Sequence, residues 1–362
     1  MTSGQQLFRA AGFLQLPILP GDVAGNLAGL SRQLSRLAPT AGTLLVLPEM
    51  WATGFVYAEL DRHSSQSAAV LLSLQEEASR YGIVLAGSLP ERLGPATFAN
   101  TLFIVGATGV LGSYRKQQPF RLWREDQYFL AGIAPAPVLT DLGSIGGLIC
   151  YDLRFPDLAR QHCQQGADLL ICSAMWPAIR VSHWRSLLQA RAIENQTFMI
   201  GCNGVGTCDN TLLGGHSLIV SPDGEILAEA GEESGGQVVP FDWNLQAEVR
   251  SRFNSYAEDI YRYPDGAKIL LPRDCLDAVR QRRKAGQRGA LIHHCAALDK
   301  ATITALQQAR SQVDFLVVGL AAATEAAKDL AQAIAALGCV RYVVIGDNDD
   351  ACWPELTAAL TS

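Results

Sequence analysis

The sequence predicts a layered α/β sandwich with mixed sheets. Short runs of Val, Ile and Leu that are apolar on both faces alternate with segments of helical spacing. This alternation is typical of sheets that are covered on both sides. Hairpin signals also separate some of the runs, so some neighbouring strands are expected to be antiparallel. Alternating βα units combined with hairpins favour a layered sandwich over a simple doubly wound sheet.

Eight apolar runs are predicted to be strands: 43–47, 83–89, 101–105, 110–114, 146–150, 168–172, 197–202 and 216–220. Four segments between them have helical spacing: 26–37, 66–80, 156–165 and 181–195. Pro156 suits the first turn of its helix, where the missing N–H is not needed. Glycine-containing turns at 106–109 and 222–224 indicate hairpins.

The totals restrict the class of protein. With 362 residues, of which 49% are hydrophobic, the chain can build one large α/β domain and a small appendage. The net charge of −6 gives no basic field for nucleic acid, and the apolar runs are too short for a membrane span. The N-terminus has no signal-peptide pattern, so a cytoplasmic location is expected. The nine cysteines are odd in number and lack CxxC pairs, which indicates reduced thiols.

The composition and the pattern of apolar residues change near residue 255. Residues 262–272 contain two prolines and a glycine, and 280–288 are strongly basic. A second α/β pattern follows, with apolar runs at 290–293, 315–320 and 341–345 and helix-like segments at 300–310 and 324–337. We therefore predict a main domain over 1–265, a linker over 266–284 and a small domain over 285–362.

Three reactive side chains lie at the ends of predicted strands. Glu49 follows the 43–47 run and a proline, Lys116 follows the 110–114 run, and Cys150 ends the 146–150 run just before a helix. Open α/β sheets bind ligands at such edges. Each residue also has a plain structural alternative: a turn or helix-start acid, a surface charge, and a packed thiol. The combination favours chemistry, since a carboxylate can deprotonate a thiol and an ammonium favours the thiolate.

Longer blocks accompany these residues. They are LPEM (47–50) with TGF (53–55), YRK (114–116) with QQPF, GGLICYDLRFPDLAR (146–160), ARAIENQ (190–196) and GGHS (214–217). Their order, spacing and flanks resemble those of the nitrilase superfamily of carbon–nitrogen hydrolases, over about residues 5–262. The resemblance implies a four-layer αββα sandwich that forms homodimers. It also implies amide hydrolysis through a thioester, without a metal or an organic cofactor.

The resemblance also implies roles for particular residues. Cys150 is the expected nucleophile, Glu49 the general base, and Lys116 with the Tyr151 N–H the oxyanion site. Glu125, in the block WREDQYFLAG (123–132), matches a second glutamate that orients the lysine. The neighbouring Asp126 leaves the register open, and a surface helix acid is the alternative for Glu125.

The blocks PEMWATGF, YDLRFP and SAMWPAIR resemble the ω-amidase branch, which deamidates α-ketoglutaramate and α-ketosuccinamate. Arg154 is a candidate partner for a substrate carboxylate, or else a scaffold partner of Asp152 or Asp157. Trp176 is a candidate wall of the substrate pocket, or else a core residue. Hydrolysis of N-carbamoyl amino acids or of deaminated glutathione, and a weakly active scaffold with a regulatory binding domain, remain alternatives.

The segment 285–362 resembles cytidylyltransferase-like nucleotidyltransferases in its strand and helix order. It lacks their phosphate-binding His-x-Gly-His, and His293, His294 and Cys295 stand at that place. This departure argues against nucleotide transfer and favours a role in assembly or regulation. A metal site at these residues is the alternative, although adjacent histidines point to opposite sides of a strand.

Overall fold

The computed structural model describes residues 8–132, 135–208 and 210–253, together with four strands further along the chain. The chain divides into two compact units, Met1–Phe253 and Asn254–Ser362. Within the described part of the chain, no helix has both the length and the apolar character that a membrane span needs.

The first sheet of the first unit has six strands with a parallel centre. In spatial order they are β14 (Gly235–Pro240), β1 (Ala10–Gln15), β2 (Thr43–Val46), β3 (Val84–Gly94), β4 (Thr97–Gly106) and β5 (Gly109–Arg115). Strands β1, β2 and β3 are parallel, whereas β14 pairs antiparallel with β1, β4 with β3, and β5 with β4.

The second sheet repeats this plan. In spatial order its strands are β13 (Ile226–Glu229), β12 (Leu218–Val220), β9 (Phe198–Asn203), β8 (Leu169–Ala174), β7 (Gly143–Ile149) and β6 (Val138–Thr140). The centre, β7–β8–β9, is again parallel. A separate hairpin joins β10 (Val205–Cys208) to β11 (Thr211–Gly214).

The described residues of this unit form five α-helices: α1 (Val23–Leu37), α2 (Leu60–Tyr81), α3 (Pro156–Gln164), α4 (Val181–Asn195) and α5 (Trp243–Arg252). The helices α1 and α2 pack on the first sheet, α3 and α4 pack on the second, and the two sheets face each other. Gly201 in β9 permits one close approach, since a Cβ there would lie 2.4 Å from a methyl carbon of Leu188 on α4. The predicted four-layer αββα sandwich is therefore confirmed.

All eight predicted strands and all four predicted helices have counterparts, and α4 has the predicted bounds. The pattern analysis does not predict the strands β1, β6, β10, β11 and β14 or the helix α5. Every residue of strand β1 is buried, but its sequence is AAGFLQ. The small residues and Gln15 interrupt the apolar run by which a buried strand is recognised. Strand β14 is only partly buried at the sheet edge, so it carries no continuous apolar run.

In the second unit the described residues form a four-stranded parallel sheet. In spatial order its strands are β15 (Lys268–Leu270), β18 (Tyr342–Ile345), β17 (Phe315–Leu320) and β16 (Gly289–His293). Three of these coincide with the predicted apolar runs. Strand β15 lies inside the predicted linker 266–284, where Lys268, Ile269 and Leu270 pair with β18. His294, Cys295 and the predicted helices at 300–310 and 324–337 lie outside the described residues.

Candidate active site

Strand ends of both sheets bring four reactive side chains together. Glu49 follows β2, Lys116 follows β5, Cys150 follows β7, and Glu125 lies in a short 3₁₀ turn, Glu125–Gln127. Their exposed fractions are 0%, 2%, 6% and 1% respectively. Glutamate and lysine are rarely buried without partners, so the contacts of Glu49, Lys116 and Glu125 define the site.

Lys116 lies between the two glutamates. Its Nζ donates to Oε1 of Glu49 at 2.7 Å and to Oε1 of Glu125 at 2.8 Å. Oε2 of Glu125 accepts the backbone N–H of Phe120 at 3.1 Å. Asp126 is exposed and lies 3.8 Å from Arg121. The geometry thus answers the question of register, because Glu125 and not Asp126 reaches the lysine.

Aromatic side chains hold the turn that carries Glu125. The Tyr57 ring stacks on Tyr128 at 4.2 Å between centroids, and its hydroxyl donates to the carbonyl of Trp123 at 2.7 Å. Burial, together with the carboxylates of Glu125 and Glu49, raises the pKa of Tyr57 far above its usual range. The phenol therefore stays a neutral donor beside the acids.

In this cluster, burial and the charge of the neighbouring ion-pair partner shift the pKa values in opposite directions. Burial alone lowers the pKa of Lys116, but the Glu125 and Glu49 carboxylates outweigh it and hold that pKa well above its ordinary value. Burial raises the pKa of Glu125 to about 7, although the ammonium of Lys116 opposes the shift. Lys116 is thus a permanent cation, and Glu125 titrates near neutral pH.

Cys150 occupies a strained turn between β7 and a 3₁₀ segment, Cys150–Arg154, that leads into α3. Its φ of +47° lies in the left-handed region, which is uncommon for a residue with a side chain and is often found at functional sites. The thiol faces the carbonyl of Met175, with Sγ and O 3.8 Å apart. Burial and the charge of Glu49 raise the pKa of Cys150, while Lys116 lowers it. The resting group is therefore a thiol that needs a base.

Glu49 is fixed by three further contacts. Its Oε1 accepts the side-chain amide of Asn100 at 2.8 Å, and its Oε2 accepts the N–H of Met175 at 3.1 Å. Its own N–H donates to the carbonyl of Ala174 at 3.3 Å. Met175 therefore contacts both Glu49, through its N–H, and Cys150, through its carbonyl, which keeps the acid and the thiol in register.

Asp152 ties the cysteine turn to the lysine segment. Its Oδ2 accepts the Tyr114 hydroxyl at 2.9 Å and the Ile149 N–H at 3.1 Å. Its Oδ1 accepts the N–H groups of Gln118 at 2.8 Å and Gln117 at 3.2 Å. Burial raises the pKa of Asp152 to about 6, against the opposing effect of Lys116. The sequence interpretation considers Asp152 only as a partner of Arg154, and its place in CYDLRFP is the signal that points to it.

The candidate substrate residues lie around this cluster. The half-buried Tyr151 packs its ring on Phe120, at 4.8 Å between centroids. The guanidinium of Arg154 lies over the Trp176 ring, 4.7 Å from its centroid, and 3.5 Å from Nδ1 of His183. Within the described part of the chain Arg154 forms no salt bridge, so the alternative that it pairs with Asp152 or Asp157 is wrong. Asp152 is instead fully engaged by other donors.

Two buried residues that sequence reasoning missed support the walls of the site. Asn203 accepts the Trp176 N–H at 2.6 Å and donates to the carbonyls of Trp176 and Gly215. Arg191 donates twice to the carbonyl of Leu153, at 2.8 and 3.2 Å. The signal for Asn203 is a polar residue at the end of an apolar run, and the signal for Arg191 is its place in the block ARAIENQ.

The αββα sandwich, with the cluster of Glu49, Lys116, Glu125 and Cys150 beside its strand ends, places the protein in the class of nitrilase-like hydrolases. The family model described as carbon-nitrogen hydrolase matches residues 10–250. The chain therefore belongs to the carbon–nitrogen hydrolase family, as the resemblance predicts, and its activity is that of an amidase.

Individual relatives agree with this assignment. The chain is 40% identical over 224 residues to the 2-oxoglutaramate amidase of Bacillus subtilis, covering 60% of this chain and 86% of that protein. It is 34% identical over 259 residues to the omega-amidase YafV of Yersinia enterocolitica, covering 71% and 96%. A solved amidase from Nesterenkonia sp. AN1 superposes with a TM-score of 0.59 at 26% identity, covering 68% and 98%. That structure shows Michael addition of acrylamide at its active-site cysteine.

The family match ends before the second unit begins. It covers residues 10–250, whereas the second unit starts at Asn254. The resemblance of 285–362 to cytidylyltransferase-like proteins therefore stays a prediction.

Replacing Asp152 by alanine is expected to destabilise the protein strongly, because four buried or half-buried donors lose their acceptor. Each orphaned donor costs about 1–3 kcal/mol, so the free energy of unfolding should fall by at least about 3 kcal/mol. Urea denaturation measures this, with the exposed Asp157→Ala as the matched control. Equal midpoints for the two variants would contradict the structural role of Asp152.

Proposed function

We propose that this amidase cleaves the terminal amide of a small keto acid through a Glu49–Lys116–Cys150 triad, with Glu125 as a positioning residue. The observation that supports this most directly is the buried contact of Lys116 with both glutamates beside a strained cysteine. A buried cation between two acids has a high desolvation cost and is not needed for packing. Its position next to a thiol fits nucleophilic catalysis.

In the first half-reaction Glu49 accepts the proton of the Cys150 thiol, and the sulfur attacks the amide carbonyl carbon. The carbonyl oxygen becomes an oxyanion, which Lys116 and the Tyr151 N–H stabilise. The C–N bond then breaks, Glu49 returns the proton to the nitrogen, and ammonia leaves. The acyl group remains on Cys150 as a thioester.

In the second half-reaction a water molecule enters where ammonia left. Glu49 removes a proton from the water as its oxygen attacks the thioester carbonyl. The C–S bond breaks, the sulfur regains the proton from Glu49, and the carboxylic acid is released. The residues return to their starting states, so no redox partner or metal takes part in the proposed cycle.

Arg154 supports a substrate with a carboxylate at the end remote from the amide. Its guanidinium is half-buried, stacked on Trp176 and unpaired with any described acid, so it is free to accept a carboxylate in bidentate fashion. The name of one relative, 2-oxoglutaramate amidase, supports α-ketoglutaramate as the substrate, and the name omega-amidase of the other supports a terminal amide. The proposal of α-ketosuccinamate rests on the family resemblance. A cytoplasmic homodimer is proposed from the family resemblance alone.

The assay for the nucleophile is ammonia release from α-ketoglutaramate, α-ketosuccinamate and glutamine, with N-carbamoyl amino acids as the alternative class. Cys150→Ala should lower kcat by at least about 10³-fold, because no thioester can form. Cys163→Ala, at a buried helical thiol, is the control and should retain activity. A Cys150→Ala enzyme that keeps its activity would refute the mechanism. Turnover of N-carbamoyl substrates alone would refute only the substrate.

Arg154→Lys is expected to raise KM for the keto-acid amide by about tenfold or more, since lysine loses the bidentate fork. The same variant should leave the kcat/KM for a neutral aliphatic amide unchanged. Steady-state kinetics on both substrates separates the two effects, and Arg185→Ala serves as a control at an exposed ion pair. Equal losses on both substrates would show that Arg154 acts on the fold and not on the carboxylate.

The activity should fall as the pH drops through about 7. There Glu125 gains a proton, and its hold on the Lys116 ammonium weakens. The apparent value belongs to the coupled cluster of Glu49, Lys116 and Glu125. Glu125→Gln should lower kcat by about 10²-fold and move this acid limb to lower pH.

The exposed neighbour Asp126→Asn provides the matched control for Glu125→Gln and should leave both kcat and the pH profile as in the wild type. A Glu125→Gln enzyme with the wild-type acid limb would assign that limb to another group. Retention of full kcat would remove Glu125 from the proposed machinery.

A further inference from the structure

A cavity lies between α1 and the segment that follows β1, and it is lined by other residues than the Cys150 site. Its volume is about 230 Å³. Part of its wall is apolar and buried, including Leu16 and Trp51, while Arg32, Arg36 and Ser234 are exposed at its rim. None of its lining residues belongs to the proposed catalytic set.

A helical glycine keeps this cavity open. Gly29 lies inside α1, where glycine destabilises a helix by about 1 kcal/mol relative to alanine. A Cβ at Gly29 would meet no atom nearer than Nη2 of Arg32, at 3.8 Å, so packing does not require a glycine. At Gly25, by contrast, a Cβ would lie 2.3 Å from the capping carboxylate of Asp22. The absent side chain of Gly29 therefore leaves space that only the flexible Arg32 side chain approaches.

The rim of the cavity carries positive charge that no described acid pairs with. Arg32 and Arg36 are one helical turn apart on the same face of α1, and neither bonds to a described residue. Gln33 between them also has no described partner, and the lining contains no carboxylate. Several other exposed arginines are paired with acids: Arg62 with Glu59, Arg92 with Asp61, Arg115 with Glu91, Arg185 with Glu229 and Arg252 with Glu248.

We propose that this cavity binds a small organic dicarboxylate. Two guanidinium groups suit two carboxylates, Gln33 and Ser234 add neutral donors, and the Leu16–Trp51 wall suits a short hydrocarbon chain. The cavity is smaller than typical drug-sized pockets, which limits the ligand to a few carbon atoms. A bare inorganic anion would leave the apolar wall without a contact.

The occupant would contact the segment that carries the proposed general base. Trp51 follows Glu49 by two residues, and Asn26 of α1 donates to the carbonyl of Ala52 at 2.9 Å. The Asn26 side chain also exchanges two hydrogen bonds with the backbone of Leu19 on the other side of the cavity. The helix α1, the segment after β1 and the segment that carries Glu49 therefore all border the proposed ligand site.

Succinate titration by isothermal calorimetry tests the proposal on the full-length protein. The titration uses the Arg154→Ala variant, so that the carboxylate partner proposed at the catalytic site is removed. Saturable binding is expected, and the double change Arg32→Ala with Arg36→Ala should weaken it by about tenfold or more. Arg80→Ala, at an exposed arginine of α2, should leave the affinity unchanged.

Gly29→Leu is the second test, because leucine fills the cavity and favours the helix. It should abolish succinate binding without lowering the melting temperature. When they are made in the wild-type protein, which keeps Arg154, the double arginine change, Arg80→Ala and Gly29→Leu should each keep the wild-type catalytic activity. No saturable binding to Arg154→Ala, or binding that survives both the double change and Gly29→Leu, would overturn the proposal. Inorganic phosphate binding as tightly as succinate would also overturn it in favour of a simple anion site.

Discussion

The contact of Lys116 with Glu49 and Glu125 is the constraint on which the site depends. All three side chains are almost completely buried, and removing one member of such a pair typically costs about 3–5 kcal/mol because a charge is left without a partner. The cluster can exist only where several backbone segments supply further donors. Asn100, Met175 and Phe120 supply them, and these residues come from three different parts of the chain.

Two strained turns and the buried carboxylate of Asp152 position the chain segments that carry Cys150, Glu49 and Lys116. Cys150 and Met50, the residue after Glu49, both have left-handed backbone conformations. The chain therefore turns sharply after β7 and again after β2. Met50 donates its N–H to Ser88, and Asp152 accepts the N–H before Cys150. Strain of this kind persists only when the surroundings hold it in place. The buried hydrogen bonds of Asp152 connect the cysteine turn to the lysine segment in this way.

The amidase chemistry and the cavity beside α1 share one architectural cause. In both halves of the sandwich, parallel strands end at the same edge, where the following loops leave room for side chains and ligands. Glu49 belongs to the site on one side of its segment, and Trp51, two residues on, lines the cavity on the other. The short segment after β2 therefore contributes to both places.

The sequence by itself determined most of the strand and helix order, the family, and three of the four residues that meet at the site, Glu49, Lys116 and Cys150, because apolar periodicity and motif blocks are local properties. It did not determine β1 or β14, whose small or edge residues carry no clear period, nor the supporting roles of Asn100, Asp152 and Asn203. The choice between Glu125 and Asp126, and the partner of Arg154, were likewise open. Only the tertiary structure decided them, because burial and hydrogen-bond partners depend on segments that are distant in the chain and meet only after folding.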